Sequence, residues 1–238
     1  MNQISAQFKC EFMRRLREEW LPAYCKDPKR QYSLEGFKIG KDALTGNDAR
    51  DFLRAVDHRV VSNDSRQRLR MAHGKSSETL FWEGSKEFNS RRITLWLETV
   101  ITVAAGGRLH LDYGWPIESL GMQSKDDAFD LMAFKPPDFA NEYIAVEIKK
   151  TSRELDVILK NLTNCCAGEH DASCYSNGKR RNAHRKWVAL QARNPCLFWA
   201  VGPSPASRLF EVLVAADGSV RLQAVPTERL HFDETSRN

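Results

Sequence analysis

Three charged residues interrupt two short apolar segments near the middle of the chain. Asp130 lies within the apolar segment 128–134, and Glu147 lies within the segment 143–148, with Lys149 directly after it. A carboxylate in an apolar strand is costly unless it is paired or binds a cation. This combination of residue types suggests a hard divalent metal site beside a catalytic ammonium group.

The period of a β-strand relates these side chains to one another. Side chains alternate between the two faces of a strand, so Glu147 and Lys149 should share one face while Lys150 points away. The intervening segment 135–141 contains consecutive prolines, which are typical of a turn. We therefore expect two adjacent strands joined by a short loop, with Asp130 beside Glu147.

This pattern resembles the PD-(D/E)XK superfamily of phosphodiesterases, which includes restriction endonucleases and many repair and recombination nucleases. Asp130, Glu147 and Lys149 match its motif as D-x16-E-x-K, while Phe129 stands where the superfamily's name has a proline. The resemblance covers roughly residues 90–202. It implies an α/β fold with a restriction-endonuclease-like αβββαβ core, in which a mixed central sheet is flanked by helices.

The resemblance also implies a metal site and a role for each residue. Asp130 would be the central ligand of Mg²⁺ or Mn²⁺, with Glu147 as the second ligand and the Ile148 carbonyl oxygen as a third. Glu98, on the preceding helix, would bind directly, through water or at a second metal. Lys149 would orient the nucleophilic water and stabilise negative charge as it develops.

The implied activity is metal-dependent endonucleolytic hydrolysis of DNA, of a restriction, defence or repair type. One alternative is a non-cleaving nucleic-acid-binding protein on the same fold. Another is a structural or partner-binding protein in which the charge pattern is coincidental. Cutting both strands of a duplex would favour a homodimer.

Apolar periodicity predicts the elements around these residues. Residues 91–107 predict a buried helix ending at Gly106 or Gly107, and residues 108–113 predict the first strand of the core. The later predicted elements are a helix within 151–162, a basic helix at 179–193, a buried strand at 195–202 and a hairpin formed by 209–215 and 220–225.

Basic residues are concentrated after the motif. The net charge is +5 with a pI near 8.9, which suits a protein that meets phosphates. A helix that begins with basic side chains favours phosphate binding, although an ordinary solvated helix explains the cluster equally well. The predicted nucleic-acid-binding residues are Lys150, Arg153, Lys179, Arg180, Arg181, His184, Arg185 and Lys186.

The first third of the chain has a different pattern from the rest. Residues 1–78 predict a helical N-terminal subdomain that could clamp DNA or form a dimer contact, and residues 79–238 predict the nuclease core. The sequence lacks a signal-peptide pattern and any apolar run long enough to span a membrane. We therefore expect a soluble, cytoplasmic protein.

Each site residue also has a purely structural interpretation. Glu147 and Lys149 could form an ion pair on an edge strand, Asp130 could accept hydrogen bonds from backbone amides, and Glu98 could be an exposed helix glutamate. Separately, a zinc site is conceivable from thiolate and imidazole ligands, but the usual C-x2-C pair is absent. Its candidate ligands are Cys165, Cys166, His170 and Cys174.

Overall fold

A computed structural model describes most of the chain. The described residues are 3–27, 30, 32–38, 44–64, 68–74, 77–85, 91–124, 126–137, 139–168, 173–176 and 178–233. The protein is mixed α/β, as predicted, with helices on both faces of a mixed central sheet. None of the helices in these ranges is long and apolar enough to cross a membrane.

The central sheet is formed by the C-terminal half of the chain. Its strands are β7 (Leu120–Met122), β8 (Leu131–Phe134), β9 (Glu142–Ile148), β10 (Leu197–Val201), β11 (Ser207–Val214) and β12 (Val220–Val225). Their spatial order is β12-β11-β10-β9-β8-β7. Strands β9 and β10 are parallel and the other neighbouring pairs are antiparallel. Strand β9 is therefore central, with β8 on one side and β10 on the other.

Helices cover both faces of this sheet. They are α1 (Gln3–Arg15), a π-helical segment (Leu16–Trp20), α2 (Leu21–Cys25), α3 (Gly46–Asp57), α4 (Leu97–Leu111), α5 (Ser152–Cys166), α6 (Ser173–Ser176) and α7 (Gly178–Arg193). Helix α4 packs with one set of β9 side chains, represented by Val146, and helices α5 and α7 pack with the alternate set, represented by Ala145. The period of two thus divides β9 between two apolar cores.

Helix α5 forms where its sequence predicts it. The side chain of Thr151 accepts a hydrogen bond from Glu154 N at 3.1 Å, which caps the first turn. The predicted apolar stripe is buried against the sheet, and its members are Leu155, Ile158, Leu159 and Leu162. Burial of this stripe fixes the start of α5 directly after β9.

The prediction of a strand at residues 108–113 is wrong. Helix α4 continues to Leu111, and the first strand of the core is β7. A short alternation of apolar and polar residues fits the last turn of a helix as well as a strand, so the period does not discriminate here. Gly107 lies inside α4, where a Cβ would be 2.8 Å from Ala55 Cβ and 3.0 Å from Asp51 O. The glycine permits close packing of α3 on α4, rather than ending the helix as predicted.

Residues 1–78, predicted as a helical subdomain, contain short strands as well as the helices α1, α2 and α3. Residues 1–78 contain β1 (Phe37–Lys38), β2 (Ser62–Asn63), β3 (Arg68–Arg70) and the start of β4 (Glu78–Thr79), and β5 (Phe81–Glu83) and β6 (Ile93–Leu95) follow. These strands form two small sheets, of order β1-β6-β5 and β2-β3-β4. The boundary predicted after residue 78 falls within β4. One apolar core extends from Phe12 and Phe52 to Val146 of the central sheet, so the two regions pack as one unit.

Candidate active site

Asp130 and Glu147 meet where β8 begins and β9 ends. Asp130 directly precedes β8, and its backbone N donates to Val146 O at 3.0 Å. Its side-chain Oδ2 accepts a hydrogen bond from Ile148 N at 2.7 Å. The structure therefore brings Asp130 beside Glu147 as predicted, and it also contains the backbone-amide contact that the structural interpretation of Asp130 expected.

Glu147 is a fully buried carboxylate on a central strand. Its side chain has 0% exposure and lies on the face of β9 that turns toward α5 and α7. Lys149 Nζ lies 2.7 Å from Oε1, and Lys186 Nζ contacts Oε2. Burial alone would raise the pKa of the Glu147 carboxyl, but the ammonium groups of Lys186 and Lys149 bring it below its usual value. An ion pair is present, although β9 is not the edge strand that the structural interpretation assumed.

Lys149 follows β9 and links several of the site's groups. Its backbone N donates to Val201 O at 2.9 Å, which extends the β9–β10 ladder by one residue. Its Nζ donates to Ile148 O at 2.8 Å. Burial lowers the pKa of the Lys149 ammonium, but the carboxylates of Glu147 and Asp130 raise it above its usual value. Lys149 is therefore a permanent cation and hydrogen-bond donor at neutral pH.

Asp130 is the titratable group at the centre of the site. Burial, followed by repulsion from the Glu147 carboxylate, raises the pKa of Asp130 from 3.8 to about 7. Lys186, Lys149 and the Ile148 amide oppose this shift without cancelling it. Two carboxylates that repel each other in a buried site form a position where an added cation is favourable.

This raised pKa predicts a pH-dependent stability in EDTA. Between about pH 4 and pH 7 the folded protein keeps a proton on Asp130 that the unfolded chain releases, so stability falls as the pH rises. The Asp130→Asn variant cannot ionise at this position, so it does not lose stability as the pH rises. Its amide oxygen can still accept the hydrogen bond from Ile148 N. We expect it to be more stable than wild type by roughly 2–4 kcal/mol at pH 8 and to lose that advantage near pH 4. Urea unfolding at several pH values measures the difference, and a pH-independent difference would contradict the prediction.

Glu98 lies in the first turn of α4, on the far side of Lys149. Its Oε1 is 4.0 Å from Lys149 Nζ, and its side chain is one third exposed. Burial is the main reason that the pKa of Glu98 is raised, with Lys149 acting in the opposite direction. The structure thus brings Glu98 to the site through Lys149.

Lys186 is placed differently from the prediction. Instead of lying on the exposed basic surface of α7, it is 3% exposed and contacts Glu147. Its Nζ also donates to Ala128 O at 2.5 Å and lies 5.7 Å from the centre of the Phe129 ring. Lys186 is therefore a second cation at the site, more deeply buried than Lys149.

The sequence contained a signal for the position of Lys186. Ala183 and Leu190 were predicted on the inner face of the basic helix, and both are buried. Lys186 lies three residues after Ala183 and four before Leu190, which is the spacing of one helix face. The position of Lys186 around the helix axis, rather than its charge, therefore indicated that it is buried.

A cleft of about 550 Å³ opens beside the buried charges. It lies where the N-terminal parts of α4, α5 and α7 approach the end of β9. Its charged lining consists of the cations Lys149, Arg153 and Lys179 and the acids Glu98 and Glu154, and its amides are Asn161 and Asn182. The three cations and two amides are groups that bind phosphate oxygens, and the two acids could bind a metal ion.

The remaining predicted nucleic-acid-binding residues lie around this cleft or farther along α7. Lys150, Arg153, Lys179, Arg181 and Arg185 are exposed, and Arg180 and His184 are half-buried. The guanidinium of Arg185 donates to Asp127 O at 2.7 Å. His184 packs between Tyr175 and Trp187, with ring centres 5.0 and 5.6 Å away. Arg153 and Lys179 are thus the members of the predicted set that line the cleft beside Lys149.

The cysteines do not favour the zinc alternative. Burial raises the pKa of the Cys165 thiol to about 11, with a further contribution from Cys174, and it raises the pKa of Cys166 to about 11 as well. Zinc binds the thiolate form, which a raised pKa disfavours. His170 lies outside the described residues.

The oxygen atoms at the site fit Mg²⁺ or Mn²⁺ by type. Asp130, Glu147 and the Ile148 carbonyl supply hard oxygen ligands, and repulsion between the two carboxylates favours a cation. The ammonium groups of Lys149 and Lys186 already contact Glu147. Over the ranges that the structure describes, no three carboxylate, imidazole or thiol side chains form a ready-made metal cluster.

The chemistry of the site has to be inferred from its own residues. Its principal features are the acids Asp130, Glu147 and Glu98, the buried Lys186, the partly exposed Lys149, and a cleft with charged lining at the ends of β8 and β9. Comparison of the chain with protein-family models, with curated proteins and with solved structures finds no match.

Proposed function

We propose that the chain is a metal-dependent endodeoxyribonuclease of the PD-(D/E)XK type, with a restriction-endonuclease-like core. The observation that carries the proposal is the convergence of Asp130, Glu147 and Lys149 beneath the cation-lined cleft. The order of elements supports it, since helix α4, strands β7 to β9, helix α5 and strand β10 follow the αβββαβ sequence, with α6 and α7 added between α5 and β10. The substrate is DNA, and the reaction is hydrolysis of a phosphodiester bond.

The cost of the buried charges supports a functional site. Glu147 and Lys186 are almost completely buried, and well-packed apolar residues in place of a buried ion pair are often neutral or stabilising. Asp130 adds a carboxyl whose pKa is strongly raised beside them. Such combinations are concentrated at functional sites, where the chemistry requires them.

Each residue of the site has its own proposed role in cleavage. Lys149, protonated because Glu147 and Asp130 raise its pKa, donates hydrogen bonds to the phosphoryl group and stabilises its developing charge. Lys149 also orients the attacking water, and Glu98, which lines the same cleft, would bind the metal ion directly, through water or at a second metal. Asp130, Glu147 and the Ile148 carbonyl would hold Mg²⁺ or Mn²⁺. When bound, the ion supplies Lewis acidity. Arg153 and Lys179 hold the adjacent backbone phosphates.

A second candidate function is nucleic-acid binding without cleavage. It is favoured by one observation, the contact of both Glu147 oxygens with lysines. In that case Lys149 and Lys186 are the permanent partners of Glu147, and the cleft binds phosphates without a metal. The two functions differ in their response to divalent ions and to loss of Lys149.

The test compares wild type with Lys149→Met on supercoiled and linear DNA in Mg²⁺, Mn²⁺ or EDTA. We expect wild type to cut only with a divalent ion, and we expect Lys149→Met to cut about 10²–10³-fold more slowly because it lacks a preorganised donor. Lys160→Met, an exposed position on α5, is the matched control and should cut at the wild-type rate.

The pattern of products distinguishes the hypotheses. Discrete fragments would identify a sequence-specific enzyme, whereas nicking or smearing would identify a structure-specific or nonspecific one. DNA retarded in a gel but uncut in every metal would reject the nuclease and favour the binding protein. Equal cutting by wild type and Lys149→Met would reject the role given to Lys149.

A further inference from the structure

The small sheet β1-β6-β5 has an outer face that carries two exposed tryptophans. Trp82 is 45% exposed and Trp96 is 37% exposed. Three further side chains share the alternation of this face, and two of them are exposed cations. We call this surface the tryptophan platform; its residues are Lys38, Trp82, Arg92, Thr94 and Trp96.

Strand register places the platform residues side by side. Thr94 of β6 lies opposite Trp82 of β5 and beside Lys38 of β1. Gly84 N donates to Arg92 O at 2.8 Å, which continues the β5–β6 ladder. A Cβ at Gly84 would lie 3.1 Å from Arg92 Cβ and 3.6 Å from the Trp82 ring, so both side chains flank this glycine.

The opposite face of the same sheet is already used for packing. Phe37, Phe81 and Ile93 point inward, and the Phe81 ring lies 4.7 Å from that of Tyr24. The platform is therefore not needed to hold the sheet in the core. Large aromatic side chains left exposed beside cations are typical of a binding surface.

One residue of the platform is close in sequence to the candidate active site. Trp96 is extended, with φ −87° and ψ 96°, and is the residue before α4. Glu98, two residues later, lines the catalytic cleft. Two residues span at most about 7 Å, so the backbone of Trp96 lies within that distance of the backbone of Glu98. From Trp96 to Arg92 the platform continues for roughly 13 Å along β6.

We propose that the tryptophan platform binds single-stranded nucleic acid that enters or leaves the cleft, with Trp82 and Trp96 stacking on bases and Lys38 and Arg92 contacting phosphates. Two cations among its five side chains, with no acid among them, are complementary to a polyanion. The face of a base is accessible to an indole ring only when the base is unstacked, which favours a single strand over a duplex. This inference rests on the proposed function for its choice of ligand, and it names a strand with single-stranded character as the substrate class.

The test measures binding in EDTA, so that cleavage does not contribute. The probe is a labelled single-stranded oligo(dT) about 20 nucleotides long, which exceeds the usual stacking site size, with a blunt duplex of equal length for comparison. We expect Trp82→Ala and Trp96→Ala each to weaken binding of the single strand by about 5-fold to 100-fold, measured by fluorescence anisotropy. Trp→Phe variants should recover most of the affinity, and Ile4→Ala, an exposed apolar position on α1, should not change it.

Salt dependence separates stacking from phosphate contacts. Lys38→Ala and Arg92→Ala should each reduce the slope of log K against log salt by about 0.7, whereas the tryptophan variants should leave the slope unchanged. Wild-type affinity for the single strand in both tryptophan variants would overturn the proposal. A homodimer in sedimentation that dissociates in Trp82→Ala would also overturn it, by assigning the platform to a second copy of the chain.

The outcome is independent of the proposed catalytic function. Metal-dependent cutting with no effect of the tryptophans on binding would retain the nuclease and reject the platform. Tryptophan-dependent binding of the single strand without any cutting would retain the platform and reject the nuclease.

Discussion

Asp130→Asn is expected to cut DNA about 10³-fold more slowly than wild type in Mg²⁺ while remaining folded. A metal's Lewis acidity contributes several kcal/mol to such a reaction, and each 1.36 kcal/mol is a factor of ten in rate. The amide oxygen of the new side chain would still accept the hydrogen bond from Ile148 N, so the junction of β8 and β9 is retained. The measurement is the rate of plasmid cleavage at saturating enzyme, at pH 8.

A second measurement, the melting temperature, tests metal binding by Asp130 without relying on cleavage. At pH 8, Mg²⁺ should raise the melting temperature of wild type, because it relieves the repulsion between Asp130 and Glu147. Asp130→Asn should show little of this shift. Asp127→Asn, in the exposed loop before β8, is the matched control and should behave like wild type in both assays. An unchanged cleavage rate in Asp130→Asn would exclude Asp130 from the reaction.

Lys186→Met is expected to destabilise the fold by about 3–5 kcal/mol, because it leaves a fully buried carboxylate with one cation instead of two. The loss should grow between pH 4 and pH 8. In wild type the lysines hold the pKa of Glu147 below its usual value, and that contribution to stability is present above the pKa of the unfolded chain. Without Lys186 the pKa of Glu147 rises, so its ionisation becomes unfavourable as the pH increases.

A double-mutant cycle separates this pair from general packing at α7. Glu147→Gln in the Lys186→Met background removes the unpaired charge and should recover part of the lost stability at pH 8. Lys179→Met, an exposed position on the same helix, should change stability by no more than about 0.5 kcal/mol. Equal effects of Lys186→Met and Lys179→Met in urea unfolding would show that the buried pair contributes little.

Local patterns were sufficient to predict much of the central sheet and of the candidate site. The D-x16-E-x-K spacing predicted two adjacent strands with Asp130 beside Glu147, because strand period and a short loop together limit the geometry. Apolar periodicity and turn residues also predicted the apolar stripe on α5, the buried strand β10 and the hairpin of β11 and β12. In the hairpin, Gly218 adopts φ +82° in the turn before Ser219. Each of these features depends on residues that are close in sequence.

Features that depend on packing between distant segments were missed. Residues 108–113 alternate like a strand, yet burial of Leu109 against the core continues α4 through them. Gly107 resembled a helix end, whereas the approach of α3 explains why a glycine is there. The short strands β1 to β6 were not predicted, because strands of two or three residues are too short to show an alternation of apolar and polar side chains.

The sequence by itself determined which acids and lysines are available for chemistry and where β8 and β9 hold them. Only the tertiary structure decided that Lys186 faces Glu147 instead of solvent, that Glu98 reaches the site through Lys149, and that Trp82 and Trp96 are exposed. The physical reason is that strand alternation is a local property of the backbone. The partner of a buried charge is set by whichever helix packs over it, and here that helix starts about thirty residues farther along the chain, at Gly178.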